Sequence, residues 1–167
     1  MKKFFFLFVL LIILACNQLQ AQNYTSAVGA RLGSPISLSY KMFISDQNAL
    51  EGYIGFRDNA SYNWFSISGA YLVHRPLEIE GIEGLDWYFG GGGSVFFWSY
   101  PNGTVDNYST TTLGIQGYLG LEYTLSNIPL NFTIDWIPTI FIGNNLFVNS
   151  FGGGYGSVGV RYVLNSN

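Results

Sequence analysis

Residues 36–44 read Ile36-Ser37-Leu38-Ser39-Tyr40-Lys41-Met42-Phe43-Ile44, with apolar side chains at 36, 38, 40, 42 and 44. Successive side chains of an extended chain point to opposite faces, so this alternation predicts a strand with one apolar and one largely polar face. Two environments can receive the apolar face, a protein core or lipid hydrocarbon. What precedes the strand, and how often its pattern returns, decides between them.

The chain starts basic, Met1-Lys2-Lys3, and continues as an unbroken apolar run over residues 4–14. A helix needs roughly 20 apolar residues to span a bilayer, so this run is too short for an anchor and has the length of a signal-peptide core. Cleavage after Ala21 gives a signal peptide over 1–21 and a mature chain from Gln22, although Leu19 is bulkier than the usual small residue two positions before the cut. Ile13-Leu14-Ala15-Cys16 has the form of a lipobox, in which Cys16 would carry lipid, and both exits stay open. Cys16 is the one cysteine, so no intramolecular disulfide contributes.

Residues 22–167 are expected to form one domain. Charged residues make up 10% of the chain, against roughly 25% in soluble domains. Aromatic residues reach 18%, and there are 21 glycines. Seven basic residues face ten acidic ones, and two of the seven, Lys2 and Lys3, lie in the leader. No basic patch exists, which argues against nucleic acid as a partner. After Leu14 no apolar stretch reaches about 18 residues, so no further helix is expected to cross lipid. A chain this apolar has one other way to live in a bilayer, a closed β-barrel with every backbone group paired.

Eight segments alternate as 36–44 does, each near the roughly 9–11 residues that a tilted membrane strand needs. They fall at about 24–32, 36–44, 50–57, 64–73, 85–98, 111–123, 130–136 and 154–164. The sixth is clearest: Leu113, Ile115, Gly117, Leu119, Leu121 and Tyr123 alternate with Thr112, Gly114, Gln116, Tyr118, Gly120 and Glu122. The fifth is less regular, aromatic on both faces around glycines 90–93. Stretches rich in Asn, Asp, Ser, Gly or Pro separate the segments, and Asn102-Gly103 is a tight-turn signal. The expected fold is therefore all-β: an eight-stranded antiparallel up-and-down transmembrane β-barrel. An even strand count brings both ends of the barrel chain to one side, with loops at 58–63, 99–109 and about 143–153 on the other. Two connections fit less well. Residues 33–35 make a very short outer link, and 74–84 a long inner one, as if the fourth and fifth strands ran on past the membrane.

Sorting charges by parity sharpens the choice of face. Lys41, Glu51, Arg57, Glu122, Asp135 and Arg161 fall on the polar face of their segments, and Arg31 and Asp86 join them in the register we assign. A charge on the lipid face near the midplane costs about 2–4 kcal/mol. Inside a barrel, charges can pair across the lumen, as buried charges must. Eight strands enclose an interior just wide enough for side chains to fill. We therefore expect these eight residues to form a lumen ion-pair network, with Lys41 meeting a carboxylate, in a packed lumen rather than an open pore. A soluble lipocalin-like barrel would turn the charged face to water; the continuous apolar face, ending in Tyr and Trp as a membrane girdle does, argues against it. Glycines 55, 114, 120 and 159 share the charged face, where a narrow lumen needs room.

Further motifs bear on kinship: the leader ending Leu19-Gln20-Ala21-Gln22, the run Gly84-Leu85-Asp86-Trp87-Tyr88-Phe89-Gly90, Gly120-Leu121-Glu122-Tyr123 followed by Ser126-Asn127-Ile128-Pro129-Leu130, and Gly159-Val160-Arg161-Tyr162. In these the chain resembles the small eight-stranded outer-membrane barrels of Bacteroidetes-type bacteria, porin-like or OmpA-like proteins. The resemblance covers nearly the whole mature chain and implies architecture rather than activity. It implies residence in the outer membrane of a Gram-negative cell, contact with outer-membrane lipid, and insertion by the barrel-insertion machinery. We expect a monomer. Such barrels often end on an aromatic residue, whereas here Tyr162 is followed by Val163-Leu164-Asn165-Ser166-Asn167.

Motifs that bear on chemistry are few. Gly154-Tyr155-Gly156-Ser157-Val158-Gly159 spells G-x-G-x-x-G, but a dinucleotide loop needs a helix after it, and here an alternating strand follows. Glycines 90–93 lack the Lys-Ser/Thr of a phosphate loop and read as relief of crowding or a bend in a curved strand. His74, the single histidine, would need a nearby Ser and acid to serve an esterase or a lipid A-modifying barrel. Beside Arg75-Pro76 at the inner end of the fourth strand, it reads as an interfacial, solvated residue. Glu78, Glu80 and Glu83 read as a solvated acidic turn rather than a weak cation site. No catalytic, cofactor or metal residue is assigned, and no enzyme is expected. Tyr100, Asn102, Tyr108, Asn144, Asn145 and Phe147 are candidate surface-loop contacts. The resulting expectation is a non-enzymatic barrel that is structural or presents loops; a narrow channel for small solutes, a barrel enzyme and a soluble binder are the alternatives.

Overall fold

Alternation in sequence becomes alternation of exposure in space. The computed structural model describes residues 24–58, 63–100, 108–142, 151–152 and 155–165. Within them run β1 (Ser26–Ser34), β2 (Ile36–Phe43), β3 (Asn48–Asp58), β4 (Asn63–Pro76), β5 (Leu85–Tyr100), β6 (Tyr108–Thr124), β7 (Leu130–Trp136), β8 (Thr139–Ile142), β9 (Phe151–Gly152) and β10 (Gly156–Asn165). β1 to β6 pair in chain order, and every pairing is antiparallel. The sheet closes where β1 meets β10, with Val28 opposite Tyr162 and Leu32 opposite Val158.

Ten segments make eight staves. β7 and β8 both pair β6, with Leu119 opposite Trp136 and Gln116 opposite Thr139, so one register runs through both. Between them sits Pro138, which has no N–H to give the ladder. Its carbonyl still accepts from the Gly117 N–H at 2.9 Å. The sequence reading ends the seventh segment at 136, whereas the strand resumes past the proline as β8. β9 and β10 together form the last stave.

The outward face is apolar. Leu38, Ile54, Ile115 and Ile134 are 70, 54, 56 and 57% exposed, while Lys41 and Arg161 are 0% exposed. This inverts the distribution of a water-soluble protein and is that of an eight-stranded up-and-down transmembrane β-barrel. The charges turn inward because they share the parity of small and polar residues on each strand, as Lys41 does with Ser37 and Ser39.

Close strand approach depends on glycine at particular places. A Cβ on Gly92 would run into the carbonyl oxygen of Gly69 on β4. One on Gly120 would lie 2.6 Å from Cζ of the inward-pointing Tyr88. β1 and β2 are linked through Pro35 alone, with a cis Ser34–Pro35 peptide. At the opposite end of the barrel, residues 77–84 continue β4 and β5 as a small projecting hairpin. Leu77 N–H donates to the Leu85 carbonyl at 2.8 Å, Ile79 and Ile82 form a bridge, and Gly81 takes φ +84° at the tip. A left-handed tip of this kind favours glycine.

Candidate functional site

The lumen is filled in layers. Near the 44–47, 77–84 and 125–129 turns, hereafter the turn-side mouth, Lys41 forms an ion pair with Glu122. Lys41 Nζ also lies 2.8 Å from His74 Nε2, and the Tyr24 hydroxyl donates to Glu122 Oε1 at 2.7 Å. The His74 ring stacks on Tyr88 at 5.0 Å and tilts against Phe43 at 4.8 Å. His74 is 3% exposed, which corrects the expectation of a solvated, interfacial residue. β4 runs to Pro76 rather than ending at 73, and His74 continues the inward parity of Ser66, Ser68, Ala70 and Leu72.

Deeper in the lumen lies a four-residue ionic chain. Glu51 Oε1 accepts from Arg161 Nη2 at 2.5 Å and from Arg31 Nη1 at 3.0 Å. Arg31 Nη2 donates to Asp135 Oδ2 at 2.7 Å, and the Tyr88 hydroxyl donates to the same oxygen at 2.7 Å. Remaining donors are met by hydroxyls: Arg31 Nε by Ser157 at 3.0 Å, Arg161 Nε by Ser39 at 3.1 Å, and Arg161 Nη1 by Thr133 at 3.1 Å. The Arg31 guanidinium also packs over the Tyr53 ring, 4.6 Å from its centroid. Arg31, Lys41 and Arg161 thus face Glu51, Glu122 and Asp135, three cations against three carboxylates.

Arg57 and Asp86 stand apart from this network. Arg57 Nη1 donates to Ser34 Oγ at the far rim, and Asp86 lines the turn-side mouth; neither makes an ion pair among the described residues. Gln116, which no charge pattern singles out, is a hub above the ionic chain. Its Oε1 accepts from Tyr53 at 3.0 Å, Tyr118 at 2.8 Å and Ser94 at 2.6 Å. Beyond it Trp64, Phe96, Trp98 and Phe141 pack as an aromatic plug, with Trp64 and Phe96 rings 5.0 Å apart. The plug accounts for the aromatic inner face of the fifth segment. Tyr100 and Tyr108 pair as the last rung of β5 and β6; Asn102, Asn144, Asn145 and Phe147 lie outside the described residues.

At the turn-side mouth a cavity of about 490 Å³ opens beneath His74, walled by the projecting hairpin at 77–84. Among the described residues, no three His, Cys, Asp or Glu side chains are grouped to hold a metal ion. His74 Nε2 contacts Lys41 and lies 3.6 Å from Glu122. Gly156 and Gly159 of the glycine motif lie in β10, with no helix among the described residues to cradle a phosphate.

Closed staves, an apolar exterior and a filled interior define the class, the small eight-stranded membrane barrel. Among solved structures the chain is similar to Neisserial surface protein A, from Neisseria, at 16% identity and a TM-score of 0.58, over 83% of this chain and 93% of that one. It is also similar to the N-terminal β-barrel domain of OprF from Pseudomonas aeruginosa, at 17% identity and a TM-score of 0.54, over 86% of this chain and 98% of that one. Both likenesses concern the fold. No protein-family model matches the chain, and no curated protein matches it.

Proposed function

We propose that the protein is an integral outer-membrane β-barrel of a Gram-negative bacterium, of the Bacteroidetes type. In this reading it is non-enzymatic and serves as a structural or loop-presenting element of the cell surface. The observation that carries the reading is the pairing of an apolar outer face with a lumen filled by ion pairs, hydroxyls and an aromatic plug. Such an interior leaves little room for a solute path, in keeping with the small bore of eight strands. The contact of His74 with Lys41 rather than a hydroxyl supports a non-enzymatic role.

The reading includes a signal peptide over residues 1–21, a barrel domain over 22–167, insertion by the barrel-insertion machinery and a monomeric state in lipid. The turn-side mouth faces the periplasm, and the loops carrying Tyr100, Asn102, Tyr108, Asn144, Asn145 and Phe147 face outward as contact surfaces. Two measurements test it. Protein from an outer-membrane fraction should show a heat-modifiable gel shift, and a mature domain soluble in water without detergent would overturn the membrane assignment. Refolded protein in planar bilayers should give no steady single-channel currents; steady currents would replace the packed lumen with a narrow channel.

A further inference from the structure

We propose that the hairpin at 77–84 rests in the headgroup boundary of the inner leaflet with its apolar face toward lipid, and that Arg75 binds a phospholipid phosphate there. The inference rests on the outer-membrane reading above, with the turn-side mouth toward the periplasm. Along β4, exposed Phe65, Ile67 and Tyr71 alternate with buried Ser66, Ser68, Ala70 and Leu72. Arg75 has the outward parity, and the ladder runs on past it through the Leu77–Leu85 bond and the Ile79–Ile82 bridge. Leu77, Ile79 and Ile82 are 37, 44 and 43% exposed. The apolar exterior of the barrel thus continues onto the hairpin as one surface. Glu78 and Glu80 keep the parity of His74 and border the mouth cavity.

The backbone fixes the depth. β3 begins at Asn48, opposite Val73, and the His74 N–H still donates to the Gln47 carbonyl at 2.7 Å. Beyond that bond the β3 side of β4 is a free edge among the described residues. Lipid hydrocarbon does not tolerate open backbone groups, whereas the wet headgroup region does. The apolar face calls for lipid, and the free edge and glutamates call for water. The headgroup boundary supplies both.

Arg75 marks the same level. It lies opposite Trp87 in the β4–β5 register, and the Trp87 side chain is exposed on the outer face, where tryptophan favours the membrane interface. Among the described basic residues Arg75 alone has outward parity, and it makes no ion pair with a described residue. An arginine on an apolar wall lays its stem along that wall and carries its charge to the headgroups. A phosphate there can accept two parallel N–H bonds from the guanidinium fork.

The test places a nitrobenzoxadiazole label at Ile79→Cys or at Glu78→Cys, in full-length protein carrying Cys16→Ser and refolded into phosphatidylcholine vesicles. Both side chains are exposed, so each variant should keep the wild-type heat shift. A lipid with a nitroxide near the ester end of its chain should quench the label at 79 at least about twofold more than the label at 78, for a face buried roughly 5–10 Å into the boundary. No quenching at 79, equal quenching at both positions, or stronger quenching by a nitroxide at the chain terminus would each overturn the proposal. Unlabelled protein in maltoside micelles tests the phosphate. Phosphatidylglycerol should raise the wild-type unfolding temperature by about 2–4 °C over diacylglycerol with the same chains, and Arg75→Gln should lose that gain. An equal gain in Arg75→Gln would overturn the phosphate site. An unquenched hairpin on a barrel that keeps its heat shift would strike this inference alone, whereas a wild-type chain without a heat shift would strike the membrane reading itself.

Discussion

Glu51 holds two guanidinium groups on one oxygen, Arg31 at 3.0 Å and Arg161 at 2.5 Å. Replacing it by Gln leaves buried arginine charge short of a counter-ion, which costs about 3–5 kcal/mol. We expect Glu51→Gln to lower the urea midpoint of the refolded barrel by a matching amount. Arg57→Gln at the rim should change stability by about 1 kcal/mol or less. Equal losses would mean that the lumen charges are as well solvated as the rim. Parity alone names which charges turn inward, because the pleat is a local property of the strand. Choice of partner is not local. Lys41 lies opposite Glu51 in the β2–β3 register, yet its ion pair is with Glu122 across the lumen. Barrel closure sets that reach, and two arginines already occupy Glu51. His74 turns inward for a related reason: β4 continues past residue 73, and the pleat carries the inward parity on to 74.

Strand positions were legible wherever alternation was strict, as in β2 and β6, and less so where backbone chemistry intervened. Pro138 masks the continuation of the seventh stave, because a proline reads as a stop while the register of β6 carries the chain past it. Glycines 90–93 read as relief of crowding, and the close approach of β4 and β5 supplies the reason at Gly92. A Cβ there meets the Gly69 carbonyl, whereas one on Gly69 itself meets nothing within 4 Å. Gly92→Ala should therefore cost about 1–3 kcal/mol by forcing the strands apart. Gly69→Ala should stay within about 0.5 kcal/mol. Urea titration of both variants in one detergent decides this, and equal midpoints would mean that β5 can shift freely against β4.

At the scale of the whole molecule, ionic bonds sit inside and apolar surface outside, so the two respond to different solvents. Mobile salt screens exposed charges over about 8 Å at physiological strength but reaches buried pairs poorly. The urea midpoint should move little between low and moderate sodium chloride; a steep fall with salt would place water throughout the lumen. The closing seam between β1 and β10 has a consequence for assembly order. Arg31 belongs to β1 and Arg161 to β10, and both converge on Glu51 of β3. While the last strand is still missing, Glu51 has only one of its arginines. The strand made last therefore delivers the final cation along with the final row of backbone partners. A half-built barrel is short on both counts, and zipping the seam corrects both in a single event.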